Sequence, residues 1–316
     1  MAAACLLLSA CTAARHGAGA ASGSAAAGSP PSPTAAAPTA STTTVPPTTT
    51  TTVPPTTTTA VPAGWSAVSQ VATGPAVEQK TVRTADGASV VLLRFEAGRT
   101  VFDLHVGSTD PPGGAGVPAS AAPAVSAAQR PVLLAAFNGG FKTDTGSGGF
   151  EVDGIVLKPL VAGYASLVID NGGRARVAVW GQDAPQPGES IASVRQNLVP
   201  LIRNGSPAAD ISSINAWGAT LYGANSVARS ALCSDAGGNL VYAGSTRALP
   251  VDLSTALTDA GCTTAMELDI NPEWVQADVA AAPGAPLTAA IPGQSRPTSQ
   301  YLTGWTRDFV TVQAAP

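Results

Sequence analysis

Histidine is scarce in this chain: the 316 residues contain two, His16 and His105. Only His105 falls in the part that reads as folded, so a metal site built from several histidines is excluded, and a Ser-His-Asp triad would have to use that one imidazole. No Gly-x-Ser-x-Gly nucleophile elbow occurs anywhere. His105, in Leu104-His105-Val106-Gly107-Ser108 at a strand end, reads as a structural or hydrogen-bonding side chain. Runs of basic residues are also missing. Phosphate backbones are bound by clustered Lys and Arg, so nucleic acid is not an expected partner. After the first residues no apolar run reaches 18, which leaves no membrane-spanning helix to expect. Lysine is outnumbered by arginine three to thirteen, and alanine is abundant. That balance suggests a GC-rich bacterial genome and makes Asn204-Gly205-Ser206 a turn rather than a glycan site.

What is present falls into unequal parts. Residues 12–64 are almost entirely Ala, Ser, Thr, Pro and Gly, with Arg15 and His16 as their ionisable side chains. Such a segment cannot bury enough apolar surface to offset the entropy of ordering, so it is expected to be a disordered stalk. Thr-runs followed by Val45-Pro46-Pro47 and Val53-Pro54-Pro55 favour extended polyproline II geometry within it. All 20 acidic residues lie after Trp65, as does every basic one except Arg15. Residues 65–316, about 250 in number, suit one large domain with a real core.

The first ten residues form a short apolar run ending in Leu8-Ser9-Ala10-Cys11. This resembles the lipobox of bacterial lipoproteins, with Cys11 taking the lipid and residues 1–11 acting as signal. No Lys or Arg precedes the run, so the natural start is expected upstream. The competing reading is a secretory signal cut nearby, with Cys11 incidental. Either reading places the domain outside the cytoplasm, and the lipobox anchors it to the membrane by lipid alone. Of the four cysteines, Cys5 lies in the signal and Cys11 takes the anchor. Cys233 and Cys262 then remain in an oxidising compartment, where two leftover cysteines usually pair. Closing that loop would contribute about 3 kcal/mol on the chain-entropy model. Two buried free thiols are the alternative.

After Trp65 the pattern is strand-rich. Ser89 to Glu96 and Thr100 to Val106 read as a hairpin through Gly98. Pro131 to Phe137 reads as a buried strand. Asn171-Gly172-Gly173 and Asp235-Ala236-Gly237-Gly238 each join two strands. Val251 to Gly261 is the clearest helix, with Asp252 as N-cap and Gly261 as left-handed C-cap. Thr263 to Asp269 and Arg307 to Val312 read as strands. The expected class is α+β: a mostly antiparallel twisted sheet with a few flanking helices.

Four segments hold the informative side chains. Phe137-Asn138-Gly139-Gly140-Phe141 leaves a buried strand into a glycine turn, where backbone amides can approach a ligand and Asn138 can bond sugar hydroxyls. Gln196-Asn197 begins a second segment and Arg229 lies on the Cys233 strand. The fourth, Met266 to Trp274, alternates Glu267, Asp269, Asn271 and Glu273. Alternate residues of a strand share a face, so Glu267 and Asp269 would be cofacial. Two such carboxylates are costly to ionise together unless a cation, solvent or substrate compensates. Beside a glycine turn they fit glycoside chemistry, where acids act at an oxocarbenium-like transition state.

Together these segments resemble the phosphodiester glycosidase family, which includes the enzyme that uncovers mannose 6-phosphate by removing N-acetylglucosamine. Many bacterial members are described as exopolysaccharide biosynthesis proteins. The resemblance rests on Asn138-Gly139-Gly140-Phe141, Gln196-Asn197-Leu198-Val199-Pro200-Leu201-Ile202, Ala228-Arg229-Ser230-Ala231, and the helix leading into Glu267-Leu268-Asp269. It implies hydrolysis of a sugar-1-phosphodiester, with Asp269 stabilising the oxocarbenium ion or activating water and Glu267 tuning its pKa. Arg229 would hold the phosphodiester charge. Asn138, Gly139 and Gly140 would orient the sugar, with Asn197, Asn271 and Trp217 completing the binding surface and Trp274 as a second stacking ring. No cofactor is required, and the carboxylate pair leaves room for a divalent cation. One departure stands out. The family usually has Leu-Asp-Gly-Gly followed closely by Ser, where this chain has Leu268-Asp269-Ile270-Asn271. A non-catalytic glycan-binding lipoprotein and a wall-polymer phosphodiesterase therefore stand as rival readings.

Overall fold

The computed structural model describes residues 64–111, 116–218 and 223–316. The chain divides into two units, Met1–Thr56 and Thr57–Pro316, and every described residue belongs to the second. The expected signal, Cys11 and all of the stalk except Gly64 lie outside the described residues.

The described strands, numbered along the chain, form three sheets. The largest has the order β1 (Ser66–Val71), β2 (Gly74–Arg83), β3 (Ser89–Phe95), β14 (Leu240–Ala248), β13 (Val227–Asp235), β15 (Cys262–Glu267), β11 (Ile202–Arg203) and β12 (Ser206–Pro207). A second runs β7 (Ile155–Lys158), β6 (Phe150–Val152), β10 (Ile191–Gln196), β8 (Ala165–Asp170) and β9 (Ala175–Val179). The third runs β17 (Leu287–Ala289), β16 (Ala277–Ala280), β5 (Leu133–Asn138), β18 (Phe309–Ala314) and β4 (Thr100–His105). Among the described residues α-helix is limited to α1 (Pro250–Asp259) and α2 (Gln300–Thr303). The α+β expectation is therefore overturned. Three antiparallel sheets carry the fold, and the helices are accessories.

The expected hairpin over Ser89 to Val106 shows why. β3 pairs with β2 and β14, whereas β4 pairs with β18 in another sheet. The connection through Gly98 (φ 77°) is a corner between sheets. Phe95 and Phe102, on either side of it, meet edge to face at 5.8 Å between centroids, so the two strands pack their inner faces together instead of lying side by side. An apolar strand pattern reads the same for a hairpin and for a corner.

One core cluster draws residues from all three sheets, among them Phe95, Phe102, Phe137, Phe150, Leu167 and Val310. A second lies on the other face of the eight-stranded sheet, where Leu253, Ala256 and Leu257 of α1 cover Val90, Leu92 and Val241. β3 is thus apolar on both faces, which explains its unbroken run Val90-Val91-Leu92-Leu93. α1 begins with Pro250 in its first turn, and Asp252 accepts the Leu249 N–H at 2.7 Å from inside that turn, so Asp252 supports the start without being the cap residue. Gly261 ends the helix at φ 87°, as expected.

The hairpins β8–β9 and β13–β14 form as their turn residues predict. Asn204 and Gly205, at φ 51° and 73°, turn β11 into β12, the two-residue geometry that Asn-Gly favours. Cys233 on β13 and Cys262 on the adjacent β15 are disulfide-bonded, with Cα atoms 5.8 Å apart.

Candidate functional site

β5 is buried at all six positions and delivers Asn138-Gly139-Gly140-Phe141 to the place where β13, the end of β15 and the start of β18 meet. The extended pairing of β15 with β13 continues past Glu267: Leu268 N–H donates to Ser230 O at 2.8 Å, and Ser230 N–H to Asp269 O at 2.9 Å. Glu267 and Asp269 therefore keep the alternation that the sequence predicts.

Their partners differ. Glu267 Oε1 receives Arg229 Nη1 at 2.6 Å, and both side chains are fully buried. Arg229 also donates to Trp217 O at 2.9 Å and Ala248 O at 3.2 Å. Burial pushes the Glu267 carboxyl well above the usual carboxylate range; Arg229 pulls it back, and Asp269 adds a smaller push upward. Asp269 Oδ2 receives Arg307 Nη1 at 2.5 Å, while its Oδ1 accepts the Ile270 and Asn271 N–H groups at 2.7 and 2.8 Å. Burial lifts the Asp269 pKa to about 6, against the lowering by Arg307 and the two amides. A third buried pair joins Arg195 Nε to Asp308 Oδ2 at 2.7 Å.

Access separates these pairs. Asp269 and Arg307 both line an open cleft of about 360 Å³, walled by Phe141, Leu198 and Ile270 and edged by Lys142, Asn215 and Asn271. The same two side chains line a narrow cavity of about 10 Å³ on the side of Trp274, Gln276 and Gln300. Arg195 and Arg229 line neither. Arg307 Nη2 donates to Gly140 O at 2.9 Å, and its Nε lies 3.6 Å from Asp110 Oδ2 without a hydrogen bond among the described residues.

Several expected ligand contacts turn inward. Asn138 donates to Gly139 O and Ser230 Oγ and accepts from Tyr242 Oη and Gln276 N–H, leaving no group for a sugar. The Gly139 and Gly140 amides donate to Asp308, at 2.9 Å to its carbonyl and 3.2 Å to its carboxylate. Both glycines are needed for that close approach, since a Cβ on Gly139 would overlap the Asp308 carboxylate and one on Gly140 would meet Arg195 Cζ at 2.9 Å. Asn197 accepts the Phe141 N–H and donates to the carbonyls of Glu267 and Leu268, stapling the glycine turn to β15. Trp217 is wholly buried and offers no face for stacking. Arg229 is sealed against Glu267, out of reach of a phosphate in the cleft. Asn271 does reach the cleft, where it also shapes the turn that follows Asp269.

The carboxylates Glu267 and Asp269 are each paired with a different arginine, Arg229 and Arg307. Among the described residues no group of three or more His, Cys, Asp or Glu side chains is placed to hold a metal ion. His105 is buried, with Nδ1 2.8 Å from Ala122 O and Nε2 3.0 Å from Thr311 Oγ1, and burial holds its pKa down to about 4. It is a structural imidazole.

Sequence reasoning missed Arg307, Asp308, Arg195 and Lys142 as site residues. A signal existed for the first two: an adjacent Arg-Asp pair leading directly into Phe309-Val310-Thr311-Val312 puts opposite charges at the mouth of a buried strand. In a chain with 11% charged residues, that position is informative.

No protein-family model matches the chain. No curated protein matches it either. Among solved structures, the chain is similar to the zebrafish N-acetylglucosamine-1-phosphodiester alpha-N-acetylglucosaminidase catalytic domain auto-inhibited by its pro-peptide. That match has 17% identity and a TM-score of 0.47 and covers 80% of this chain and 87% of that one. It is also similar to a hypothetical protein from Synechocystis, at 11% identity and a TM-score of 0.46, covering 77% of this chain and 63% of that one. Likenesses at this level leave the assignment to the residues themselves.

Proposed function

We propose that the domain hydrolyses a sugar-1-phosphodiester in a cell-envelope or extracellular glycan. One observation carries this reading: a carboxylate whose pKa lies near 6 shares an open cleft with two cations, Arg307 and Lys142, in a chain of net charge −4. A cleft whose lining is more positive than the protein around it suits an anionic substrate. The resemblance of the motifs around Asn138, Asn197, Arg229 and Asp269 to phosphodiester glycosidases points the same way.

In this reading water adds to the anomeric carbon as its bond to the bridging oxygen breaks. The bonding electrons leave with that oxygen on the phosphate monoester. The water proton passes to the Asp269 carboxylate and then to solvent, and the products are free sugar and monoester. A phosphate monoester is a good leaving group, so little acid assistance is required. Asp269 also opposes the positive charge that develops on the ring. Arg307 and Lys142 offset the phosphate charge, a role the sequence had pointed to Arg229 for. Glu267, Arg229 and Asn197 act from below, by fixing the strand end that presents Asp269.

The deciding assay supplies a sugar-1-phosphodiester and measures both products. Reducing sugar with phosphate monoester supports the proposal. Sugar phosphate would indicate a phosphodiesterase instead, and no product would leave a binding protein. We further propose that Cys11 anchors the chain at the outer face of a bacterial membrane, on the strength of Leu8-Ser9-Ala10-Cys11. Cys11→Ala should then abolish lipid labelling and release the protein to the medium, and an unchanged membrane fraction would refute the anchor.

A further inference from the structure

The segment after Asp269 builds an aromatic feature that the proposed reaction does not use. Asn271 Oδ1 accepts the Glu273 N–H at 3.0 Å, and its carbonyl accepts the Trp274 and Val275 N–H groups at 2.9 and 3.0 Å. This tight turn sets Trp274, half-buried, beside the Asp269 site, with the Arg307 guanidinium carbon 5.8 Å from its ring centroid. The Trp305 ring lies 6.1 Å from that of Trp274, inclined at 49°. The Arg296 guanidinium sits over both, 4.8 Å from the Trp274 centroid and 4.5 Å from that of Trp305. Arg296 is itself tied to Glu273, through Nε to the carbonyl at 3.1 Å and Nη2 to Oε2 at 2.9 Å.

Trp305 is nevertheless 57% exposed. With Arg296 over one face, that exposure belongs to the rest of the ring. Isolated exposed apolar side chains are ordinary. This one is clamped by a cation that also holds a second indole and is anchored by an ion pair, so little further ordering entropy is lost when a flat ligand meets it. Contacts join it to the Asp269 site through Trp274 and Arg307, on the side of the narrow cavity. A large, rigid, amphipathic ring suits the C–H face of a pyranose, whose hydroxyls stay hydrated around the edge.

We propose that Trp305 is a sugar-stacking platform for a pyranose unit beyond the phosphodiester, so that the substrate is a glycan chain and not a low-mass sugar phosphate. The stacking stands on the platform geometry, while the substrate class rests on the hydrolytic reading of Asp269.

The test titrates the full chain calorimetrically with hexasaccharides of glucose, mannose and N-acetylglucosamine. At least one should bind, Trp305→Ala should weaken it about tenfold or more, roughly 1.4 kcal/mol, and Trp305→Tyr should stay near wild type. Arg296→Ala, which frees the ring from its clamp, should weaken binding several-fold with Trp305 intact, and it keeps the test alive if Trp305→Ala misfolds. Binding of no hexasaccharide, or wild-type affinity in a folded Trp305→Ala variant, overturns the platform. Oligosaccharide binding by a wild type that turns over no phosphodiester would keep the platform and remove the reaction. Equal kcat/KM for a polymeric and a monosaccharide phosphodiester, unaltered by Trp305→Ala, would keep the reaction and remove the platform.

Discussion

Arg229–Glu267 and Arg307–Asp269 are built from the same two chemistries, and their carboxylates stand two residues apart on one extended segment. The first pair has both side chains at 0% exposure, while the second, at 7% and 4%, opens onto the cleft. Each pair carries a desolvation penalty that its own attraction only partly offsets. In the sealed pair Arg229 Nη2 and Glu267 Oε2 find no hydrogen-bond partner among the described residues. In the open pair both oxygens of Asp269 are held, by Arg307 and by two backbone amides. Accessibility, not residue type or strand position, distinguishes a group that can meet substrate from one that holds the strand in place.

The largest effect expected is on the sealed side. Arg229→Ala strands a buried carboxylate and should cost about 3–5 kcal/mol of stability in urea unfolding. Removing both charges together, as Arg229→Met with Glu267→Leu, should restore most of that loss. Arg307→Ala, whose partner borders the cleft, should cost markedly less, and an equal loss at both arginines would erase the distinction between the pairs.

Next comes turnover. Asp269→Asn should lower kcat by about 10²-fold or more with little change in KM, the typical consequence of deleting a general acid or base. Glu267→Gln should act mainly on stability. A folded Asp269→Asn variant with wild-type turnover would remove Asp269 from the chemistry.

The pH dependence is a finer probe. If Asp269 acts as carboxylate, kcat/KM should fall as pH drops through about 6, and Asp269→Asn should lack that limb. A profile flat between pH 5 and 7 would contradict the assignment.

The smallest effect is on stability as a function of pH. The folded-state pKa of Asp269 is raised from 3.8 to about 6, so over that interval the folded state binds more protons than the unfolded one. Its contribution is therefore fully present below about pH 4 and lost as pH rises through 6. His105 acts oppositely: its pKa falls from 6.5 to about 4, so its contribution is lost as pH falls across that range. Subtracting wild type from Asp269→Asn isolates the first term. The variant's relative stability should rise between about pH 4 and 6 and then level, and the reverse slope would count against a raised pKa.

Much of the local structure is legible in the sequence alone. Asn204-Gly205, Asn171-Gly172-Gly173 and the glycines after Asp235 fix their turns because positive φ is cheap there. Helix α1 was readable from its apolar face and Gly261. The Glu267/Asp269 alternation followed from the two-residue strand repeat. The site was legible only in part: Asp269 and Asn271 reach the cleft, whereas Asn138, Asn197, Arg229 and Trp217 are turned into the protein.

By itself, then, the sequence determined the hairpin turns, helix α1 and the alternation of Glu267 with Asp269, and it left Cys233 and Cys262 as the two cysteines free to pair. These depend on neighbours a few residues away or on simple elimination. Tertiary structure decided the rest. It sent β3 and β4 into different sheets, because the same apolar pattern serves a hairpin or a corner and only long-range packing selects between them. It brought Arg307 and Asp308 from the start of the last strand to Asp269 and to the glycine turn after β5. It also gave Glu267 and Asp269 separate arginines, since the partner that neutralises a charge is set by spatial approach and not by spacing along the chain.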